Sequence, residues 1–257
     1  MIIVDRVARA FQRRMARWFG KRSVWMRNAR PIISFTFDDF PTSAYTGTEA
    51  LFRQAGVHAT FYTSIGLLGR TAPTGEIASP ELFREVLSSP HEVGCHTFDH
   101  LGAFETPFGA YRASVEKNLR ELRRFDPVAA YATHSYPISF PRMRTKRYVG
   151  NRFQACRAGG QIYNQGALDL AYLQSFFIER SRSNPTAIRE QIDRAVQANA
   201  WLIFSTHDVC DHPTDYGCTP ALFASILEWS IASGALILPV RDALAACGIA
   251  AQSSLSE

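Results

Sequence analysis

Two short stretches, Thr36-Phe37-Asp38-Asp39 and His96-Thr97-Phe98-Asp99-His100, limit what this chain can fold into more than any other feature of its sequence. Each follows an apolar run of strand length, Ile32-Ile33-Ser34-Phe35 before the first and Glu92-Val93-Gly94-Cys95 before the second. A third run, Trp201-Leu202-Ile203-Phe204-Ser205-Thr206, leads into His207-Asp208 in the same way. Two His four residues apart can turn both rings to one side, which suits a divalent metal, and a carboxylate from elsewhere supplies a third ligand. Three protein ligands leave one coordination position open, the arrangement of a hydrolytic site. Taken singly, an Asp pair after a strand is ordinarily a solvated turn and two loop His are unrelated. The pattern gains weight because it occurs three times where a strand gives way to a loop, the position of active sites in (β/α) barrels.

The rest of the chain alternates. Helical patterns over 45–54, 81–87, 110–125, 186–199, 220–233 and 241–247 are interleaved with strand patterns over 58–63, 129–136, 152–156, 173–178 and 235–238. Ser79 stands where the second helix needs an N-cap, and Asn184-Pro185 opens the fourth. Such alternation means parallel strands with helices outside. Residues 137–169 are the least patterned part. They hold Arg142, Arg144, Lys146, Arg147, Arg152 and Arg157, a basic cluster that can receive an anionic group or simply be a solvated loop. Arg157, directly after a strand, stands out.

A length of 257 residues with 46% hydrophobic and 20% charged content fits one soluble domain with a full core. The net charge of +5 is unevenly spread: residues 1–30 carry nine Arg and Lys against Asp5 alone, so the remainder is mildly acidic. That excludes a nucleic-acid-binding body, whose basic residues should line the domain itself. Val7, Phe11, Met15 and Trp18 recur at helical spacing with Arg9, Arg13 and Arg17 on other faces. This is either a basic amphipathic helix on an anionic membrane surface or a helix packed on the barrel. The segment lacks the apolar core of a signal peptide, and no run is long enough to span a membrane. Five cysteines (Cys95, Cys156, Cys210, Cys218, Cys247), an odd count without CxxC spacing, are expected to be reduced thiols in a cytoplasmic protein.

The TFDD and HTFDH stretches, followed much later by an apolar strand ending in His-Asp, resemble the polysaccharide deacetylase (NodB-like carbohydrate esterase) family. The resemblance covers roughly residues 31–246. It implies a distorted (β/α) barrel of seven or eight parallel strands in a single domain, here over residues 31–250 behind a basic segment 1–30. It also implies roles: Asp38 as base; Asp39, His96 and His100 as metal ligands; His207 as general acid. Zinc is the favoured ion for that donor set. Hydrolysis of an unactivated amide needs this combination, because the attacking water must be acidified and the departing amine protonated.

Two departures accompany the resemblance. The family's Arg-Pro-Pro-Tyr type of stretch, whose Arg holds the base, is replaced by Ser135-Tyr136-Pro137-Ile138. The backbone N–H of Ile138 can still serve an oxyanion. The Asp-Trp motif that orients that Arg is also missing, so either Arg157 or another cation replaces the brace, or the base is set by different contacts. Tyr136, Arg157 and Asp208 are candidates for binding substrate, with Asp208 either orienting His207 or solvated. The resulting expectation is a metal-dependent deacetylase of an N-acetylated saccharide, a precursor in surface polysaccharide or O-antigen assembly, with peripheral membrane contact through residues 1–20. The alternatives are an amidohydrolase of formamides or cyclic amides, and a non-catalytic carbohydrate-binding relative.

Overall fold

Strand parity decides which side chains fill the barrel of this protein. A computed structural model describes residues 14–16, 18–138 and 140–250, so most of the helix expected over residues 1–20 lies outside the described residues. The strands are β1 (Ser23–Trp25), β2 (Ile32–Phe37), β3 (Thr60–Thr63), β4 (Thr71–Ala72), β5 (Gly75–Glu76), β6 (Glu92–Cys95), β7 (Thr133–Ser135), β8 (Ala155–Arg157), β9 (Ala167–Asp169), β10 (Phe176–Phe177), β11 (Trp201–Thr206) and β12 (Leu236–Ile237). The helices are α1 (Thr42–Thr46), α2 (Glu49–Ala55), α3 (Pro80–Leu87), α4 (Phe108–Phe125), α5 (Met143–Arg152), α6 (Pro185–Gln197), α7 (Pro220–Ala232) and α8 (Val240–Ala246).

Seven parallel strands run in the order β10-β11-β2-β3-β6-β7-β8, and an eighth, β12, pairs with the first two residues of β2 while β3 pairs with its last two. A parallel bridge between Arg157 and Leu173 carries the chain from β8 towards β10 and nearly closes the ring. This is the expected distorted (β/α) barrel. Among the described residues no helix is long and apolar enough to cross a membrane.

All six residues of β2 are buried, but they serve two cores. Ile33, Phe35 and Phe37 face the helices, where Phe35 meets Phe52, Phe204 and Phe223 with ring centroids 5.4–5.9 Å apart. Ile32 packs with Trp201, Ile203, Ala155 and Leu173 in the other core, inside the ring. Trp201 Nε1 donates to Ser34 Oγ at 2.9 Å, so the even residues of β2 and the odd residues of β11 share that interior. Both series change from apolar to polar along the strand: Ile32, Ser34, Thr36, Asp38 and Trp201, Ile203, Ser205, His207. At Gly94 any Cβ would lie 2.4 Å from the Tyr62 ring, so the glycine leaves room for that side chain.

At the opposite end of the barrel Glu92 is buried and accepts from Thr60 Oγ1 (2.9 Å), Thr133 Oγ1 (2.6 Å) and the Arg241 N–H (2.8 Å). Burial pushes its carboxyl above the usual carboxylate range, against these hydrogen bonds. Thr60 Oγ1 also accepts from the Val240 N–H (2.9 Å), so these two side chains tie the start of α8 to β3 and β6.

Several expected elements shift. The helix expected over 45–54 divides into α1 and α2 around Gly47. The strand expected over 152–156 starts later, at Ala155, because α5 occupies the poorly patterned stretch before it. Seen on a helix, the basic cluster disperses. Lys146 is fully buried against Asp169 (2.6 Å), Arg152 reaches Glu116 (3.2 Å), and Arg142 and Arg144 lie over Phe104 and Phe108.

Lys146 Nζ also donates to the carbonyls of Ala16 (2.6 Å) and Phe19 (3.0 Å), while Arg22 reaches the carbonyls of Gly150 and Phe153. With β1 paired antiparallel to β9, residues 14–16 and 18–30 are packed against the barrel. Ala16 is buried, while Trp18 is 70% exposed. Replacing Lys146 by Met strands the mostly buried Asp169 carboxylate and is expected to cost about 3 kcal/mol in urea unfolding, with part of the loss recovered in the Lys146→Met, Asp169→Asn double variant.

Candidate active site

Parallel register brings the strand ends to one level. Thr206 stands opposite Phe37, Phe37 opposite Phe61, Thr63 opposite Cys95, Cys95 opposite His134, and Ser135 opposite Arg157. The residues just beyond (Asp38, Asp39, His96 and His207) therefore gather with Ser135 and Arg157 at the C-terminal rim, where such barrels carry their sites. The rim is built on strained backbone: Asp39, Phe40, Thr97, His100 and Ile138 all have positive φ, between 52° and 62°, without being glycine.

Asp39, His96 and His100 converge, with one potential ligand atom from each within 4.8 Å of the others. Oδ1 of Asp39 lies 2.9 Å from Nε2 of His100 and 3.5 Å from Nε2 of His96, and is buried without a further partner. Thr74 Oγ1 donates to the other oxygen, Oδ2, at 3.0 Å. Nδ1 of His96 lies 2.9 Å from the Ser135 carbonyl, which makes Nδ1 the protonated nitrogen and leaves the Nε2 lone pair for a ligand. Thr97 Oγ1 accepts from the Leu101 N–H at 3.1 Å and holds the turn between the two histidines. Burial raises the Asp39 pKa, but the hydrogen bond and charge of His100, with His96 and His207, outweigh it and hold the carboxyl ionised. Burial, chiefly, brings His96 down to about 4, a neutral imidazole at physiological pH. An ionised carboxylate and a neutral imidazole with its lone pair turned inwards, beside a second imidazole, are the donors that a divalent cation requires, so the residues fit one.

Asp38 is buried beside this triad, and Arg157 Nη2 is bound to both of its carboxylate oxygens. Ser135 Oγ donates to its Oδ1 at 3.1 Å and Ser205 Oγ to its Oδ2 at 3.4 Å. Arg157 Nη1 donates to Ser175 Oγ at 2.9 Å, and the guanidinium lies between the Tyr62 and Phe177 rings, 5.3 and 5.6 Å from their centroids. Burial raises the Asp38 pKa, while the charges of Arg157, His96 and His207 outweigh it and keep the carboxyl below its ordinary value. Arg157 is only 1% exposed, so it is a brace on Asp38 and not a substrate contact.

The other two expected substrate contacts are corrected as well. Tyr136 is buried, its hydroxyl donates to the Ala171 carbonyl (2.9 Å), and its ring packs edge-on against His134. Asp208 is buried and turned away from His207: it accepts from the Thr214 N–H (2.7 Å) and Thr214 Oγ1 (2.6 Å) and closes the loop that follows. His207 is instead oriented by a backbone carbonyl, with Nδ1 3.1 Å from Tyr216 O. Ile138 sits beside the turn at Gly102 and is 74% exposed.

Sequence reasoning missed four contributors. Ser135 and Ser205 lay inside stretches already singled out, and their parity with Asp38 was the available signal. Thr74 comes from the β4–β5 turn, which carried none. Glu179 follows β10 in a short 3-10 helix, Ile178–Ser181, and lies near enough to Asp38 and Arg157 to feel their charges. Its Oε2 is buried without a partner. Burial, chiefly, pushes its carboxyl up to about 8, with the charge of Asp38 adding to the rise.

The profile of the polysaccharide deacetylase family matches residues 26–150. No curated protein matches the chain. Among solved structures, the chitin deacetylase from the fungal pathogen Colletotrichum lindemuthianum is 15% identical over 90% of this chain and 96% of its own, with a TM-score of 0.61. A family 4 acetyl xylan esterase from Clostridium thermocellum, in complex with a cobalt ion, is 17% identical over 87% and 95%, with a TM-score of 0.56. A mutant of a family 4 pseudoenzyme with restored enzymatic activity is 12% identical over 85% and 70%, with a TM-score of 0.57. At these identities the likeness is one of fold. The profile covers the Asp-Asp and HxxxH stretches, and the barrel carries both to one rim, so residues 26–150 match the polysaccharide deacetylase family within a barrel that shares the fold of its solved members.

Proposed function

We propose that the protein removes an N-acetyl group from an amino sugar, with Asp38 as general base, His207 as general acid and the Ile138 N–H as oxyanion donor. The observation that carries this is the pairing of a braced, ionised carboxylate with a three-donor cation site at one rim. Asp39, His96 and His100 would hold the cation, zinc by preference for their mixed donors. A divalent ion there supplies Lewis acidity, lowering the pKa of water to about 7 and polarising a carbonyl. The residues do the rest. Asp38, kept ionised by Arg157 and oriented by Ser135 and Ser205, takes the proton of the attacking water. His207, with Nδ1 on the Tyr216 carbonyl, presents Nε2 to the departing nitrogen and gives it a proton, without which an amide anion would have to leave.

The substrate we favour is a lipid-linked or nucleotide-linked precursor of surface polysaccharide or O-antigen. Support comes from the charge asymmetry: residues 1–20 of the basic segment 1–30, which precedes the barrel domain 31–250, would hold a cytoplasmic enzyme against anionic lipid.

An acetate-release screen over N-acetylated sugars, small formamides and cyclic amides tests the activity. Asp38→Asn is expected to lose about 10²–10⁴-fold in turnover, and retention of activity in that variant would reject the assigned base. Arg157→Lys keeps the charge but not the planar fork, and should lower kcat by roughly 10–100-fold with little change in KM.

Stability carries a separate signature of Glu179. Its folded pKa of about 8 lies above the unfolded value of 4.5, so the folded state holds a proton that the unfolded state has lost. Stability from this group is full below about 4.5 and declines as pH rises towards 8. Glu179→Gln, neutral throughout, should match the wild type in thermal unfolding at pH 4 and exceed it at pH 8.5. An equal difference at both pH values would mean that the carboxyl is already charged in the fold.

A further inference from the structure

The loop after His207 is more tightly held than its exposure suggests. Asp208 accepts from Thr214 twice, Cys218 N–H donates to the Asp208 carbonyl (3.0 Å) and Cys210 N–H to the Cys218 carbonyl (3.3 Å). Arg182 Nη1 donates to the carbonyls of Thr214 (2.7 Å) and Gly217 (3.3 Å), and the Tyr216 N–H donates to Thr214 Oγ1 (3.2 Å). Gly217 packs against Asp208 so closely that a Cβ would lie 2.3 Å from its carbonyl and carboxylate oxygens.

The product of this bracing is one exposed aromatic ring. Tyr216 is 46% exposed, and its ring meets His207 at a centroid distance of 5.6 Å, inclined by 63°. Its neighbours on the loop, Asp211, His212 and Asp215, are exposed and polar. An aromatic face left open to solvent forfeits apolar burial, and holding it rigid costs chain entropy as well. A pyranose ring matches such a surface: its axial C–H bonds form an apolar face, and its hydroxyls point outwards from the edges. The ring of Tyr216 suits the face, and the Asp and His side chains beside it suit the hydroxyls.

We propose that Tyr216 is the platform on which a saccharide ring rests beside His207, making it a specificity-determining residue that selects sugar substrates over small acyl compounds. The inference rests on the deacetylase reading of the rim and adds what the rim selects. The ring meets His207 edge-on, while the Tyr216 carbonyl, which every variant keeps, holds Nδ1 of His207. A platform is therefore told from a prop by whether KM or kcat changes.

The test compares wild type with Tyr216→Ala, Tyr216→Phe and Tyr216→Trp in acetate release from tetra-N-acetylchitotetraose. The expected result for the Ala variant is a KM raised about tenfold, the worth of one aromatic contact, with kcat within threefold. The Phe and Trp variants should keep the wild-type KM. An unchanged KM in the Ala variant would overturn the platform while leaving the deacetylase reading intact. A fall in kcat as large as the rise in KM would also overturn it, by reducing the ring to a prop for His207. A wild type that cleaves formamides or cyclic amides but no N-acetylated saccharide would reject the saccharide reading and the platform together.

Discussion

A carboxylate sealed inside a barrel has no stable charged form unless a cation is sealed in with it. The Asp38–Arg157 pair meets that condition at the point where six strands end, and much of the interior is arranged around it. Desolvating two charges costs several kcal/mol each, recovered only when the pairing is close and the remaining donors are engaged. Here Ser135, Ser175 and Ser205 take up hydrogen bonds around the pair, and the Tyr62 and Phe177 rings flank the guanidinium. Tyr62 in turn needs the missing side chain of Gly94. Packing and electrostatics are thus parts of one structure: the residues that fill the upper barrel are those that fix the protonation state of Asp38.

The same pair explains how much of the site was legible in the sequence. The acids and imidazoles at the ends of β2, β6 and β11 announced themselves, because a polar residue next to an apolar strand is conspicuous and strand parity fixes its side. Arg157 was conspicuous for the same reason, but whether it would turn to substrate or to Asp38 depended on register between strands 119 residues apart. Beyond a strand end, parity no longer holds. Positive φ at Asp39 lets two consecutive acids both serve the rim, whereas Asp208 turns away from its neighbour His207 and Tyr136 buries itself. Helix α5 was hidden by its own charge, since five Arg and Lys between 142 and 152 obscure a narrow buried face. Glu179 was hidden by its apolar surroundings, which read as the tail of a strand.

Strain at the rim fits the same economy. Five non-glycine residues with positive φ store energy that the folded barrel must supply, and three of them, Asp39, Thr97 and His100, belong to the candidate cation site or lie between its residues. A site held this way has its donors gathered by the fold itself, with the Ser135 carbonyl and Thr74 acting as outer restraints.

The far end of the barrel gives the interior its last property. Glu92, hydrogen-bonded on both oxygens, together with Ile32 and Trp201, closes the floor, and α8 is tied down across it. The interior is consequently a plug and not a passage: Ile32, Ser34, Thr36, Trp201, Ile203 and Ser205 are all buried, and solvent meets the cluster at the level of His100 and His207.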